Sequence, residues 1–287
     1  MGDTMGDAMG DAMGDATNTS YVHGYDRREV DRLGDQAGTL VDLLHADTAY
    51  PAGALVLEAG CGVGAQTVTL ARRSPGARFV SVDVSEDSIL EARRRVERAG
   101  LTNVELRQAD IAALPFRSGS FNHVFVCFVL EHLSRPAEAL TALNQVLRPG
   151  GTLTVIEGDH GSASFWPDSP AARAAIGCLA TLQRQSGGDA LIGRRLYPLM
   201  RAAGIDKVRV SPRMVYVDSS RPELVDGFIR KTFTAMIQGV RERAIGAGLI
   251  EPERFDAGIE ALRRTTETDG VFCYTFFKGV GERPGPT

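Results

Sequence analysis

The sequence lacks a surplus of basic residues. Its 32 lysines and arginines are outnumbered by 36 aspartates and glutamates, which leaves a formal net charge of −4. Proteins that bind the phosphates of nucleic acid usually carry a basic excess, so we expect no nucleic-acid partner. No apolar run approaches the roughly 18 residues needed to span a bilayer, and no secretion signal opens the chain. We therefore expect a cytoplasmic protein without a membrane span.

Cysteine is also scarce, with four in 287 residues. Cys61, Cys127, Cys178 and Cys273 lie far apart and form no Cys-x-x-Cys pair, so neither a zinc site nor a disulfide framework is expected. This cysteine usage fits a reducing cytoplasm, and no metal is predicted.

The chain is long enough for one large domain with a sizeable core. Residues 1–16 repeat the four-residue pattern MGDT or MGDA, which offers no apolar periodicity to bury, so residues 1–17 are predicted to be a disordered tail. We expect residues 18–280 to form a single domain. Nothing in the sequence decides whether that domain forms a homo-oligomer.

Strands and helices alternate along this domain. A first helix is predicted from Asp26, where Asp26 and Glu29 have the spacing of a capping box. Alternation of this kind predicts an α/β fold with a mostly parallel sheet and helices on both faces. The pattern loosens after residue 158, where helical lid insertions are expected at about 161–190 and 218–270; residues 207–217 could form a strand pair or one long strand. The predicted strands are 54–58, 104–110, 123–128, 152–158 and 271–279, with a further strand before Ser85.

A glycine-rich turn follows the first strand, with the sequence Glu58-Ala-Gly-Cys-Gly-Val-Gly64. Glycines permit a tight strand-to-helix turn and let a ligand approach the backbone. Asp83 ends the second strand, where its carboxylate can accept hydrogen bonds from ribose hydroxyls. Both features are shared with dinucleotide-binding proteins, so they do not by themselves choose between nucleotide cofactors.

The motifs that follow Asp83 distinguish between these cofactors. Ala109-Asp110-Ile111 ends the third strand, and the fourth strand follows Leu114-Pro115-Phe116 and Gly119-Ser120-Phe121. Glu131-His132-Leu133 follows the fourth strand, and Arg148-Pro149-Gly150-Gly151 leads into the fifth. In this order and at this spacing the sequence resembles the class I S-adenosylmethionine-dependent methyltransferases, above all the small-molecule branch that includes ubiquinone/menaquinone and sterol carbon methylases. The resemblance covers residues 54–157 well and 191–217 loosely.

The resemblance implies a Rossmann-like, seven-stranded sheet with one reversed edge strand, and S-adenosyl-L-methionine as cofactor. It implies that the glycines line the methionine and ribose, that Asp83 holds the ribose and that Asp110 reads the adenine. Asn122-His123 stands where an acidic residue often occurs in the family, a departure outside the cofactor site. The predicted cofactor-binding residues are Tyr25, Glu58, Gly60, Cys61, Gly62, Gly64, Gln66, Asp83, Val84, Ser88, Asp110, Ile111, Cys127 and His132.

The predicted catalytic residues are Glu157, Asp159, His160, Tyr21 and His132. The first three end the fifth strand, at the sheet edge where α/β proteins bind ligands, and a carboxylate beside a histidine suits general-base work. A hydrogen-bonded loop cluster is the alternative interpretation, just as His132 could cap a helix. Tyr21 and Tyr25 could close over a cationic sulfonium or simply pack, and Cys127 is expected to pack as a small apolar residue.

The aromatic and aliphatic composition of the insertions predicts an apolar small-molecule acceptor, such as a natural product. We expect carbon methylation of a prenyl or alkene group. Oxygen or nitrogen methylation of a small aromatic metabolite is the alternative. Two other classes stay open: an NAD-dependent oxidoreductase and a cofactor-binding protein without catalysis.

Overall fold

The computed structural model describes residues 40–285, which form one eight-stranded sheet with helices on both faces. The strands are β1 Leu55–Ala59, β2 Arg78–Asp83, β3 Val104–Gln108, β4 Phe121–Cys127, β5 Leu147–Gly158, β6 Ser164–Trp166, β7 Asp206–Asp218 and β8 Val271–Glu282. The helices are α1 Val41–His45, α2 Ala65–Arg73, α3 Glu86–Arg98, α4 Pro136–Val146, α5 Pro170–Gln185, α6 Leu196–Ala202, α7 Pro222–Leu224, α8 Ala235–Gly239, α9 Arg241–Gly246 and α10 Pro252–Arg264. A π-helix, Val225–Thr234, joins α7 to α8, and 3₁₀ turns span Ile111–Ala113, Leu130–His132, His160–Ser162 and Ile192–Arg195.

The sheet order confirms a mostly parallel, Rossmann-like fold. Strands β3, β2, β1, β4 and β5 lie side by side and run parallel. Strand β8 is antiparallel to β5, β6 and β7. The prediction that this reversed strand lies at the edge is wrong, because β5 pairs with one side of β8 and β7 with the other. Inside the sheet, both sides of this largely buried strand form backbone hydrogen bonds. At an edge, the backbone N–H and C=O groups of one side would have no partner strand.

The third and fourth strands end before their predicted positions, each for a local reason. β3 ends at Gln108, since the Asp110 carboxylate instead accepts a hydrogen bond from the Ala112 backbone N–H and begins a 3₁₀ turn. β4 ends at Cys127, because Phe128 adopts a left-handed backbone with φ 58° that cannot continue a strand. Of the two alternatives open for residues 207–217, the structure shows one long strand, β7.

Alternate side chains of the central strands fill two separate cores, one on each face of the sheet. Val56, Phe79 and Phe125 lie in one core, and their neighbours Leu57 and Val80 lie in the other. Strands buried on both faces need continuous apolar runs, which is why the sequence pattern identified these strands without alternation of polar residues.

The segment between β7 and β8 is helical, as predicted, and packs on the first of these cores. Phe228 and Phe233 of the π-helix contact Phe272 and Tyr274 of β8, with ring centroids 4.8 to 6.0 Å apart. Within the two predicted lid insertions, Trp166 is 60% exposed, whereas the other large apolar side chains expected to line a pocket are buried: Phe165, Leu179, Leu182, Phe228, Phe233 and Met236. That these segments close over a substrate stays a prediction. Within residues 40–285 no helix has the length and apolar character that crossing a bilayer requires.

A buried lysine on β8 fixes the segment that precedes β1. The Lys278 ammonium donates hydrogen bonds to Asp47 Oδ1 at 2.6 Å, Thr48 Oγ1 at 2.5 Å and the Leu44 carbonyl at 3.4 Å. Its side chain is 3% exposed, and burial lowers the pKa of the ammonium. Arg213 of β7 also pairs with Asp47.

Of the helix predicted to begin at Asp26, the structure describes only α1, Val41–His45. Residues 1–39 lie outside the described part.

Lys278→Met keeps the apolar stem but removes every polar contact of the ammonium. We expect the free energy of unfolding to fall by roughly 1–3 kcal/mol, since hydrogen bonds to charged groups contribute on that order. Urea titration followed by circular dichroism measures it. Lys207→Met is the matched control, because Lys207 pairs with Glu282 but is 72% exposed, and such surface pairs contribute at most about 1 kcal/mol. Equal losses in both variants would contradict the anchoring role.

Candidate active site

The glycine-rich turn after β1 requires glycine at its three alternate positions. Gly60, Gly62 and Gly64 have φ values of 75°, 50° and 77°, which side chains other than glycine rarely adopt. A Cβ on Gly60 would lie 2.4 Å from Val129 Cγ2, and one on Gly64 would lie 3.0 Å from Ala92. Nothing lies within 4 Å of the Cβ direction of Gly62. The turn therefore packs tightly against Val129 and Ala92 at Gly60 and Gly64 but is open at Gly62, where a ligand can approach the backbone.

Asp83 links this turn to the end of β2. Its Oδ2 accepts a hydrogen bond from the Gly62 N–H at 2.8 Å, and Oδ1 accepts one from the Ser85 N–H at 3.0 Å. Burial raises the pKa of the carboxyl, although the backbone donors oppose that effect. Ser85 also caps α3, accepting a hydrogen bond from the Ser88 N–H at 3.2 Å. The carboxylate thus lies at the sheet edge beside the glycines, as predicted.

Glu58 lies beneath the turn and is 2% exposed. Its Oε2 accepts a hydrogen bond from Ser81 Oγ at 2.6 Å. Burial raises the pKa of this carboxyl to about 7, because removing a charge from water is costly. A group this deep supports the turn from below.

Three predicted cofactor-binding residues, Val84, Asp110 and Ile111, follow β2 and β3. Val84 is 62% exposed, unusual for a valine at the end of a buried strand, whereas Ile111 is 9% exposed. Asp110 is exposed and uses one carboxylate oxygen to cap the Ile111–Ala113 turn. The exposed Val84 side chain suits the flat face of an adenine ring, and carboxylates beside it suit the polar groups on the edge of that ring.

Several other predicted cofactor residues are buried around this turn. The thiols of Cys61 and Cys127 are buried, and burial raises the pKa of both well above its usual value, so they stay protonated; all four cysteines are free. Gln66 Oε1 lies 2.6 Å from His45 Nε2, a partner that the sequence analysis did not identify. Burial lowers the pKa of His45 to about 4, which keeps that imidazole neutral. Ser88 is also buried.

A second cluster of polar side chains lies where β4 and β5 end. Glu157, fully buried, accepts hydrogen bonds at Oε1 from the backbone N–H groups of Val129 at 3.0 Å and Leu130 at 2.8 Å. Among the described residues, its Oε2 has no hydrogen-bond partner. Burial, and then the nearby charge of Glu131, raises the pKa of Glu157 well above its usual value. Glu157 therefore holds the Leu130–His132 turn in place.

That turn presents Glu131 to two imidazoles. Glu131 Oε1 lies 3.6 Å from His132 Nε2, and Oε2 lies 3.7 Å from His160 Nε2. Gln183 of α5 donates to Glu131 Oε2 at 3.2 Å, and the Tyr274 hydroxyl lies 2.8 Å from His160 Nδ1. The structure thus brings the candidates His132, His160 and Glu157 into one cluster, and adds Glu131, Gln183 and Tyr274.

The geometry does not favour Asp159 as a general base. Arg194 donates to both of its carboxylate oxygens, at 2.7 and 2.8 Å, and the Gly161 N–H donates to Oδ1 at 3.0 Å. Both oxygens are occupied, and the side chain is 3% exposed, so we reassign Asp159 to holding the loop after β5. The sequence did not reveal this pairing, because Arg194 lies 35 residues away.

Two predicted site residues, Tyr21 and Tyr25, lie outside the described residues. Within residues 40–285 no group of three or more His, Cys, Asp or Glu side chains has an arrangement that could hold a metal ion. The open backbone at Gly62, the Asp83 carboxylate and the exposed Val84 together fit an adenosyl cofactor.

Comparison with known proteins agrees with this geometry. Residues 56–151 match a family model described as a methyltransferase domain. An uncharacterized 37.1 kDa protein in transposon TN4556 of Streptomyces fradiae is 35% identical over 72% of this chain and 57% of its own length. Methyltransferase GfsG of Streptomyces halstedii is 32% identical over 49% of this chain and 50% of its own length. Demethylmenaquinone methyltransferase of Thermus thermophilus is 37% identical over 36% of this chain and 46% of its own length. The chain thus spans about half the length of the curated relatives it matches.

Solved structures show the same fold. YcgJ from Bacillus subtilis aligns with a TM-score of 0.55 at 16% identity, over 90% of this chain and all of that one (100%). The [4+2]-cyclase SpnF aligns with a TM-score of 0.52 at 19% identity, over 94% and 86%. The fold and the glycine turn define a Rossmann-like methyltransferase domain. Over residues 56–151 the chain is similar to the S-adenosylmethionine-dependent methyltransferases of class I.

Asp83→Asn removes one charged acceptor at the end of β2 while keeping the side chain's size. We expect the affinity for S-adenosylhomocysteine to fall more than tenfold, since a hydrogen bond to a charged group contributes roughly 1.5–3 kcal/mol. Isothermal titration calorimetry measures this affinity. Asp87→Asn, at an exposed position in the first turn of α3, is the control. Unchanged affinity in Asp83→Asn would reject the role assigned to this carboxylate.

Glu58→Gln tests the cost of the buried carboxyl. The pKa of Glu58 is raised from 4.5 to about 7, so folded protein holds this proton more tightly than the unfolded chain. Its contribution to stability is therefore fully present below pH 4.5 and is lost as the pH rises through 7. In the variant, urea titrations should show a fall in stability between pH 5 and 7 smaller by up to roughly 3 kcal/mol. Glu86→Gln, an exposed control, should keep the wild-type pH dependence.

Proposed function

We propose that the protein transfers a methyl group from S-adenosyl-L-methionine to a carbon atom of an apolar small molecule. The observation that carries the proposal is the position of the Glu131, His160 and Tyr274 cluster. It lies at the same carboxyl edge of the sheet as the glycine turn, and aromatic rings border it. The edge of an α/β sheet is where such proteins bind ligands.

The cofactor would lie along the glycine turn. The backbone of Gly60 to Gly64 would hold its methionine and ribose side, Asp83 would accept hydrogen bonds from the ribose, and Val84 would pack against the adenine. When bound, the cofactor supplies a methyl group made electrophilic by positively charged sulfur. The protein's own task is then to position the acceptor and exclude water.

The surroundings of the second cluster favour an apolar acceptor. His160 contacts the rings of Phe233 and Tyr274, at centroid distances of 6.4 and 5.7 Å. The Tyr274 ring also packs against Phe276 at 4.7 Å. A pocket with apolar walls and a few convergent polar groups is typical of small-molecule sites. His160 of this cluster thus lies against two aromatic rings.

Carbon methylation fits this combination of groups. An alkene that takes up a methyl group becomes a carbocation, which aromatic faces and carboxylates stabilise. The cation must then lose a proton to a nearby base. The relative named demethylmenaquinone methyltransferase adds support for a quinone or prenyl acceptor. Methylation of oxygen or nitrogen is the alternative, and it would use the same base to deprotonate a hydroxyl or amine.

We also propose that the protein is cytoplasmic and that its methyl acceptor is a small molecule and not a nucleic acid. The likeness in fold to a protein titled a [4+2]-cyclase shows that this fold does not by itself fix the reaction. Turnover must therefore be measured directly.

Purified protein is incubated with deuterated-methyl S-adenosylmethionine and a panel of quinones, prenylated compounds, phenols and amines. We expect mass spectrometry to show a labelled product from a prenylated or quinone acceptor, and NMR to place the label on carbon. Asp83→Asn serves as the cofactor-deficient control and should form less product. A label on oxygen or nitrogen would reject carbon methylation, and cofactor binding without turnover on any acceptor would reject the methyltransferase activity.

A further inference from the structure

The polar cluster contains a chain of contacts whose direction can be worked out. Tyr274 lies at one end, with its hydroxyl 2.8 Å from His160 Nδ1. Glu131 lies at the other end, with Oε2 3.7 Å from His160 Nε2. His160 is buried between them, with 8% of its side chain exposed. The position of the imidazole proton decides which group can accept a proton from an acceptor molecule.

The tyrosine hydroxyl is the donor in the first contact. Burial raises the pKa of Tyr274 well above its usual value, so the phenol keeps its proton. In the part of the chain that the structure describes, the Asp159 backbone N–H donates to this hydroxyl and so cannot take its proton, whereas His160 Nδ1, at 2.8 Å, can accept it. A buried hydroxyl whose proton has no acceptor costs free energy. The proton of Tyr274 therefore points at Nδ1, and Nδ1 is the unprotonated nitrogen of the neutral ring.

The neutral imidazole then carries its own proton on Nε2, the nitrogen that faces Glu131. A protonated Nε2 cannot accept a second proton, so His160 is not the base in this arrangement. The carboxylate of Glu131 can accept one, and 12% of its side chain is exposed.

Other groups hold this carboxylate in place. Gln183 donates to Oε2 at 3.2 Å and to the Glu131 carbonyl at 3.0 Å. Glu157 fixes the turn that carries Glu131 through the N–H groups of Val129 and Leu130. Two buried oxygens of this cluster, Glu157 Oε2 and Gln183 Oε1, have no hydrogen-bond partner within residues 40–285. Buried polar atoms without partners are costly, which points to a ligand or water at this cluster.

We propose that Glu131 accepts the proton that the methyl acceptor loses, and that Tyr274 and His160 are positioning residues that direct an N–H toward this carboxylate. The inference rests on the proposed methyl transfer. In that reaction a carbon–carbon bond to the methyl group forms, and the carbon–sulfur bond breaks with its electron pair remaining on sulfur. The acceptor's carbon–hydrogen bond then breaks, its electron pair restores the double bond and its proton moves to Glu131. The carboxyl later releases that proton to water.

The imidazole proton can be located without any acceptor. Protein labelled with ¹⁵N-histidine is examined by long-range ¹H–¹⁵N correlation NMR, with His160 assigned through His160→Gln. We expect the wild-type ring to carry its proton on Nε2. Tyr274→Phe keeps the aromatic ring but removes the donor, so the two tautomers should become mixed. Tyr216→Phe, at an exposed tyrosine on β7, should leave the spectrum unchanged. A proton on Nδ1 in the wild type would overturn the proposal.

Turnover provides the second test, with the acceptor found by the labelled-methyl screen. Glu131→Gln should lower kcat at least 100-fold, since general-base catalysis contributes about 10²- to 10⁴-fold, while the affinity for S-adenosylhomocysteine stays the same. Glu131→Asp should restore part of the activity, and Glu138→Gln, at an exposed glutamate of α4, should show full activity. Wild-type turnover in Glu131→Gln would overturn the proposal.

The two tests separate the failure of this inference from that of the proposed function. If no acceptor is methylated, the proposed function fails, and the proposal for Glu131 fails with it. If methylation occurs but the spectra show a proton on Nδ1, methyl transfer stands and the role given to Glu131 is wrong.

Discussion

The insertion of β8 between β5 and β7 is the constraint on which the rest of this structure depends. The strand hydrogen-bonds along both sides, and its alternate side chains reach three different parts of the molecule. Phe272 packs against the π-helix, Tyr274 meets His160, and Lys278 holds the segment before β1. Because a strand's side chains alternate with a period of two, a shift in register by one residue would turn all three away.

The two halves of the site are built by opposite means. The cofactor half depends on backbone shape, with glycines in left-handed conformations and few side chains above them. The second half depends on side chains, in which the Glu131 carboxylate lies within 4 Å of the imidazoles of His132 and His160. They meet at the loop after β4, where Phe128 is also left-handed and Val129 packs beneath Gly60. Backbone strain of this kind commonly occurs at functional sites, where surrounding structure maintains it.

Burial gives the acidic residues of the site different roles. Glu58 and Glu157 lie deep and hold neighbouring strands and turns, and burial raises the pKa of both. Asp159 is equally buried but is paired with arginine. Glu131 keeps some exposure and contacts ionisable rings. The depth and partners of each carboxylate, rather than its presence in a motif, therefore distinguish the carboxylates that support the fold from Glu131, the one proposed to accept a proton.

The sequence alone determined the parallel core of the sheet, the glycine turn and the carboxylate at the end of β2. These features follow from local rules: continuous apolar runs for strands buried on both faces, and glycine where the backbone must be left-handed. It also correctly located the helical segment at 218–270, because the apolar spacing there has a helical period. Only the tertiary structure decided that the reversed strand lies inside the sheet, that Arg194 occupies Asp159, and that Tyr274 reaches His160 across 114 residues. Those pairings depend on strand order and register, which bring together residues whose local sequences carry no signal of each other.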